Sequence, residues 1–449
     1  MELFPFIMIN SKEVHSILER RILADGYDIV LGIDKSHGMW LYDSRHDKYF
    51  LDFFGFFASS ALGMNHPGYM DSEFLKKLQY ASLNKVVNSD IYTQEMAEFV
   101  MAMEKVAPEE MKYMFFVEGG ALAVENALKA AFDWKIRKSI AKGKGELGTK
   151  VIHLKEAFHG RSGYTLSLTN TFDPNKTKYF PKFEWPRVTN PKITFPLNEE
   201  NTRKVEELEK KSLEEINNAI AKYGDDIAAF IMEPIQGEGG DNHFRKEYFK
   251  EVRKITEKND IMLIFDEVQS GMGITGKLWA YQHFDVKPDM FSFGKKSQVC
   301  GFMSSKRIDE VKDNVFHVPS RINSTWGGNF ADMVRATKII EIMIKDKLVE
   351  NAEKVGSYMI KRLQELEQKY PSIISNARGK GLMDAFDLPN TQLRDEFNNK
   401  VYSKGLLCLK AGEKSIRFRP PLIATNDNVD LAIEIMESCI TEIKKSHNL

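Results

Sequence analysis

The chain has 449 residues, of which 43% are hydrophobic and 28% charged, a globular composition that excludes a disordered or fibrous protein and leaves room for two or three domains. Lys plus Arg number 63 and Asp plus Glu 64, so the net charge of −1 gives no field of one sign to attract nucleic acid or an acidic membrane. Three cysteines, Cys300, Cys408 and Cys439, suggest neither a disulfide framework nor a metal site. No apolar run reaches the ~20 residues of a bilayer span. The apolar start Phe4 to Ile9 follows Glu2 and lacks the basic flank and cleavage site of a signal peptide. A cytoplasmic globular protein without a metal is expected.

In chain order, residues 1–65 include a Gly-rich, strand-like portion from Gly32 to Phe54 and are too few for a large core of their own. They are expected to pack beside the C-terminal part. From 66 to 330 short apolar runs alternate with helix-period segments, the pattern of βαβ units. Candidate strands are Tyr113–Val117, Val151–Leu154, Ile227–Met232, Ile261–Phe265 and Met290–Phe293, each apolar on both sides as a covered parallel strand requires. Between them, Ala121, Val124, Leu128 and Ala131 share one helical face, and Phe244 to Lys258 is amphipathic. After Asn329 two long helical patterns run to about Gln368. Short strands follow at Leu382–Phe386, Leu406–Leu409 and Ser415–Phe418, and a final helix starts near Asn428 behind the cap cluster Thr425-Asn426-Asp427. Residues 331–449 thus read as a smaller α+β domain beside an α/β one.

Two strands end in charge: Ile264-Phe265-Asp266-Glu267 and Phe293-Gly294-Lys295-Lys296. Open α/β sheets bind ligands at strand carboxyl ends. Asp266 alone would read as a turn cap and Lys295 as a solvated lysine. Together, on two strands of one sheet, they supply what pyridoxal phosphate needs, an imine-forming amine and an acid for the pyridinium nitrogen. Val117-Glu118-Gly119-Gly120-Ala121 leads from a strand into a helix, where backbone N–H groups and the helix dipole can meet a phosphate, although it also reads as an ordinary Gly-rich turn. The string Gly271-Met272-Gly273-Ile274-Thr275-Gly276 imitates a dinucleotide fingerprint. It does not open at the strand end, and its next acid, Asp285, comes too early. His159-Gly160-Arg161-Ser162-Gly163 lacks the spacing of a hydrolase elbow, and no phosphate-loop string occurs.

Asp266-Glu267-Val268-Gln269-Ser270-Gly271-Met272-Gly273 followed by Lys295 resembles the signature of class-III, ornithine-type aminotransferases. The likeness runs from Gly38-Met39-Trp40-Leu41-Tyr42-Asp43 and Asn65-His66-Pro67 to Arg417-Phe418-Arg419-Pro420-Pro421. Within that class it is strongest to the lysine 6-aminotransferases, through Glu118 to Asn126, Phe158 to Tyr164 and Asn323-Ser324-Thr325-Trp326-Gly327-Gly328-Asn329. The resemblance implies a type I pyridoxal-phosphate fold, with a large domain on a mainly parallel sheet and a smaller α+β domain. Where many relatives have Ser-Gly-x-Glu-Ala, this chain has Glu118-Gly119-Gly120-Ala121, which leaves backbone groups of Gly120 and Ala121 as the phosphate donors.

By the same resemblance Lys295, the first of two adjacent lysines, holds the cofactor and moves the proton, and Asp266 meets the ring nitrogen. Phe158 and Val268 flank the ring, and Gln269 meets the ring oxygen. Thr325, from a neighbouring subunit, is implied to bind phosphate, with Asn323 close by, so the protein is expected to be a homodimer with shared sites. Arg161 is implied to bind the remote carboxylate of L-lysine or the γ-carboxylate of 2-oxoglutarate, and Arg417 the α-carboxylate of the keto acid. Glu238 is implied to cover Arg417 while lysine is bound. Read without the resemblance, Arg417, Arg419 and Glu238 are surface ion-pair residues, and Asn323 and Thr325 belong to a polar turn. The expected reaction moves the 6-amino group of L-lysine to 2-oxoglutarate. Ornithine or 4-aminobutyrate as donor is the alternative within the class, and a non-catalytic binding protein on this fold the alternative outside it. Cys300 is expected to be buried packing.

Overall fold

The computed structural model describes residues 9–448, so the apolar start read at Phe4 to Ile9 lies, apart from Ile9, outside the described residues. The fold opens with a hairpin in which β1 (Trp40–Asp43) and β2 (Lys48–Asp52) pair antiparallel, Trp40 opposite Leu51. Alternation sends Phe50 into one apolar cluster with Leu41 and Leu407, and Leu51 into the main core on the other face.

Seven strands form the large sheet: β3 (Met111–Val117), β4 (Lys150–Leu154), β5 (Arg187–Val188), β6 (Ile227–Met232), β7 (Met262–Asp266), β8 (Met290–Phe293) and β9 (Cys300–Ser305). Their order is β3-β9-β8-β7-β6-β4-β5, parallel from β8 to β5 and antiparallel where β9 meets β8 and β3. The five strands read from the sequence are present. Tyr113–Val117, expected to be a covered parallel strand, is instead part of the antiparallel edge strand β3, and its middle residues are only half-buried. The central strands β6, β7 and β8 are buried along their whole length. Ala229, Ile231, Met262 and Ile264 pack on one face with Val124, Leu128, Ala131 and Trp134 of the Gly120–Ala141 helix. Phe230, Met232, Leu263 and Phe265 pack on the other with Tyr248, Phe249 and Val252 of the Lys246–Lys258 helix. Helices on both faces explain why these strands read as continuous apolar runs.

Beyond the sheet come the Phe330–Lys345 and Leu348–Lys369 helices, then β10 (Ser375–Lys380), β11 (Met383–Asp387), the Thr391–Ser403 helix, β12 (Leu406–Leu407), β13 (Leu409–Ala411) and β14 (Ser415–Phe418). Strands β10, β11, β14 and β13 form one antiparallel sheet, while β12 runs parallel to β2 and completes a three-stranded sheet with the N-terminal hairpin. The last helix spans Asn426–His447, with Thr425 as its cap in a reciprocal capping box with Asn428. Among the described residues no helix is long and apolar enough to cross a membrane.

The Leu348–Lys369 helix lies directly on the turn between β10 and β11. A Cβ at Gly356, inside that helix, would stand 1.9 Å from the carbonyl oxygen of Gly381 and 2.4 Å from its Cα. Alanine would gain ~1 kcal/mol of helix propensity. A clash with backbone rather than with a movable side chain outweighs that gain, so Gly356→Ala is expected to destabilise by about 2 kcal/mol, the scale of overpacking. A lower urea midpoint at unchanged slope would show it.

Candidate active site

The carboxyl ends of β6, β7 and β8 lie side by side, Asp266 opposite Ser292 in the register, and they open into a cavity of about 540 Å³. Of the residues singled out in the sequence, Gly120, Ala121, Phe158, Arg161, Glu238, Asp266, Val268, Gln269 and Lys295 line it. Among the described residues the wall does not include Arg417, Asn323 or Thr325.

Asp266 is buried and fixed by three donors. The backbone N–H of Val268 (3.0 Å) and the Ser292 hydroxyl (3.1 Å) bond its Oδ1, and His159 Nδ1 (2.8 Å) bonds its Oδ2. A carboxylate only accepts, so the proton of His159 sits on Nδ1. Lys295 follows Gly294 with φ +55°, in the left-handed region that a side chain rarely adopts, a strain typical of functional turns. Burial, joined by the guanidinium of Arg417, holds its amine below the ordinary lysine range, with Asp266 pulling the other way. Lys296 turns away from the cavity: fully buried, it donates to the carbonyls of Ala58 (2.9 Å) and Gln269 (3.2 Å). Of the two adjacent lysines, Lys295 is the one that lines the cavity.

The Gly120–Ala141 helix starts at the same wall, its first two residues lining the cavity with Lys295 and Asp266 and leaving its first-turn N–H groups without helical partners. A Cβ at 120 would come within 2.9 Å of Val268 Cγ1, so any larger residue there would have to push that side chain aside. Gln269 accepts with its amide oxygen from Arg419 Nε (3.1 Å) and Nη2 (3.0 Å), and from Arg417 Nη1 (3.4 Å). Arg417 is 1% exposed and pairs with Glu238 Oε2; Arg419 is wholly buried and pairs with Asp241. The alternative of surface ion pairs for the two arginines is therefore corrected. Burial alone would raise Glu238; Arg417 and Lys176 outweigh it and hold the carboxyl below its ordinary range. Arg161 stands exposed at the cavity mouth. Asn323 and Thr325 are exposed on the loop before the Phe330–Lys345 helix, with Asn323 Oδ1 accepting from Ser324 N (2.8 Å) and the Thr325 carbonyl from Ser89 (3.2 Å). Cys300 is only half-buried and faces the cavity, which corrects its reading as buried packing; what burial it has pushes the thiol up.

Sequence reasoning passed over His159, Glu233 and Lys176. Glu233 follows β6 directly, and the same signal, a charge where an apolar run stops, could have found it. It accepts from the N–H groups of Phe158 (2.9 Å) and Gly237 (3.0 Å). Burial pushes it up to about 7, opposed by His159 and reinforced by the negative charge of Asp266.

Comparison with known proteins agrees with this geometry. The profile of the class-III aminotransferases matches residues 22–440. The chain is 50% identical over 430 residues to the L-lysine-epsilon aminotransferase of Mycobacterium tuberculosis, covering 95% of each. It is 46% identical over 444 residues to that of Streptomyces clavuligerus, covering 98% of this chain and 96% of the other. A 4-aminobutyrate aminotransferase of Sus scrofa is 30% identical over 447 residues, covering 94% and 87%. A solved structure of lysine aminotransferase from M. tuberculosis in the internal aldimine form superimposes with a TM-score of 0.95 at 49% identity, covering 97% of this chain and all of that one. The chain belongs to the class-III aminotransferases, and is a pyridoxal-phosphate-dependent transaminase on an α/β fold.

The donor set fits that cofactor on its own terms. One cavity offers an amine whose neutral form burial favours, a carboxylate locked by three donors, and a helix N-terminus kept open by glycine.

Glu233 binds its proton more tightly folded than unfolded. Its contribution to stability is complete below about pH 4.5 and is lost as the pH rises through about 7. Glu233→Gln cannot titrate, so the cofactor-free variant is expected to show a flatter dependence of thermal midpoint on pH across that window. Parallel curves for the two proteins would contradict the assignment.

Proposed function

We propose that this class-III aminotransferase moves the 6-amino group of L-lysine to 2-oxoglutarate, giving glutamate and 2-aminoadipate 6-semialdehyde, which cyclises. The observation that carries the reading is the Glu238–Arg417 pair at the edge of the cavity that holds Lys295. A transaminase using α-amino acids in both halves needs Arg417 for a carboxylate each time. One that takes a terminal amine first must leave that arginine without a substrate carboxylate, and an unpaired buried guanidinium is costly. Glu238 covers it. Identities of 44–50% to lysine-epsilon aminotransferases, against about 30% to 4-aminobutyrate aminotransferases, support lysine as the donor.

Pyridoxal phosphate, when bound, supplies a protonated ring that takes up the electron pair left as a substrate carbon loses its proton. Lys295 is the amine that holds it and the base that carries that proton, a task its burial favours because only a neutral amine can accept. Asp266, pinned by His159, Ser292 and Val268 N–H, keeps a proton on the ring nitrogen. Gly120 and Ala121 would offer backbone donors to the phosphate, Phe158 and Val268 would flank the ring, and Gln269, whose amide oxygen is taken by Arg417 and Arg419, would meet the ring oxygen. Arg161, at the mouth, grips the carboxylate farthest from the reacting carbon. Arg417 grips the one adjacent to it, in 2-oxoglutarate.

The same reading makes the protein a cytoplasmic homodimer. Thr325 and Asn323, exposed and outside their own cavity wall, would serve the neighbouring subunit's site, Thr325 as a phosphate ligand. It also divides the chain into a cofactor-binding domain, 66–330, a small domain, 331–449, and an N-terminal segment, 1–65, beside the latter. The pairing of β2 with β12 supports the last point.

The test is isotopic. With L-lysine labelled on the side-chain nitrogen alone, the label is expected in glutamate, whereas a label on the α-nitrogen should remain in the cyclised product. No transfer from either nitrogen, with ornithine or 4-aminobutyrate reacting instead, would reassign the donor. Glu238→Gln should raise glutamate relative to lysine as donor by about tenfold in kcat/KM, the scale of one charge-assisted bond.

A further inference from the structure

Glu238 is held by two cations. Its Oε2 faces Arg417, and its Oε1 faces the amine of Lys176. The two differ in freedom: Arg417 is 1% exposed, whereas the side chains of Lys176 and Glu238 are each about a quarter exposed, at 23% and 24%. Glu238 also belongs to two cavities. Besides the active-site cavity it lines a second space of about 310 Å³, whose wall includes Thr171, Asp173, Lys176 and Gly412 and also Arg394 and Lys410, both of which already pair with Asp395.

The backbone around Glu238 is pinned. Its carbonyl accepts from Gly412 N (3.0 Å), and at Gly239 a Cβ would meet the Glu156 carbonyl at 2.2 Å, so the chain is packed without slack. Motion is left to the side chain, and rotation away from Arg417 leads into the second cavity. Lys176 is itself well placed to wait there. It ends the Pro174–Lys176 turn, stiffened by its proline and by Asp173 capping Asn175 N, and its amine also lies 5.8 Å over the Phe158 ring.

When the α-carboxylate of the acceptor takes Arg417, Glu238 must leave with its charge. A carboxylate stripped of partners in a half-buried site would be costly, and beside a second carboxylate more so. We infer that Lys176 is a positioning residue for the acceptor half of the reaction: it receives Glu238 in the second cavity and so releases Arg417 to bind the keto acid. Because Lys176 is bonded to Glu238 in both arrangements, only one of the two ion pairs is exchanged for the substrate's. The inference rests on the proposed roles of Glu238 and Arg417.

Donor and acceptor react in separate halves, so the kcat/KM of each reports its own half. In holoenzyme Lys176→Met, kcat/KM for 2-oxoglutarate is expected to fall about tenfold or more, with that for L-lysine within about twofold, as the loss of one bond to a charged group requires. The calorimetric Kd for glutarate, a dicarboxylate that cannot react, should rise by a similar factor. Lys176→Arg should restore both. In a Glu238→Gln background Lys176→Met should have no further effect, since the lysine acts through that carboxylate. Equal losses for donor and acceptor, an unchanged acceptor kcat/KM, or a full additive effect in the Glu238→Gln background would each overturn the inference. A wrong donor would show instead in the wild-type labelling experiment, whereas a wrong role for Lys176 would show only in the acceptor kinetics of its variants.

Discussion

Glu233, His159, Asp266, Lys295, Glu238 and Arg417 converge where three parallel strands end, and little water reaches most of them. No member is tolerable there alone. Asp266 is fixed by His159, Glu238 by Arg417 and Lys176, and burial together with Arg417 holds the Lys295 amine below the ordinary lysine range. The charges set one another's protonation, and the sheet sets their spacing. Parallel pairing of β6, β7 and β8 brings Glu233, Asp266 and Lys295 to one edge, and the antiparallel return along β9 adds Cys300. Helices cover the central strands on both faces beneath this group of paired charges.

A second buried ion pair lies just behind the first. Arg419, with Asp241 and Gln269, joins the end of β14 to the loop after β6, while Arg378 of β10 bonds the carbonyls of Gly240 and Asp241 together with Asp387 and Ser415. The loop that carries Glu238 is thus clamped by two arginines from the C-terminal sheet. Residues far apart in sequence meet at Gln269, whose one oxygen serves both Arg417 and Arg419 and so fixes which way its amide turns.

What could be read from the sequence follows from where local pattern and tertiary environment agree. Strands β7 and β8 announce themselves because a mostly apolar run, broken only by Ser292 in β8, gives way to a charge, and that pointed to Asp266 and Lys295. Strand β9 contains Gly301, Ser304 and Ser305, and β10 reads Ser-Asn-Ala-Arg-Gly-Lys; neither alternates, and each is a strand only through its neighbours. The burial of Arg417 and Arg419 was equally hidden, since charge predicts exposure unless the partner is known, and Asp241 and Glu238 lie more than 170 positions away. Lys176 sits on a loop without periodicity. Its contacts with Glu238 and the Phe158 ring, both remote or unpatterned in sequence, distinguish it from an ordinary surface lysine. The resemblance to a family carried the roles of Arg161, Thr325 and Asn323, which no local pattern could have assigned.

The pairing of β2 with β12 bears on how the chain is made. Leu51 and Asp52 find their partners at Leu406 and Leu407, and Phe53 offers its carbonyl to Arg419 N (2.8 Å). During synthesis the hairpin emerges before the large sheet, yet the strand that covers its edge leaves the ribosome only after every strand of that sheet has been made. Until then an edge flanked by Phe50, Leu51 and Phe53 stays open, the kind of unpaired strand that sticks to other nascent chains. Closure over so long a loop is slow, because its entropy is lost before the contacts return it. The Asp266–Lys295 wall belongs to strands made earlier, whereas Arg417 arrives only with β14, so a nascent chain holds Glu238 well before it holds the arginine that pairs with it.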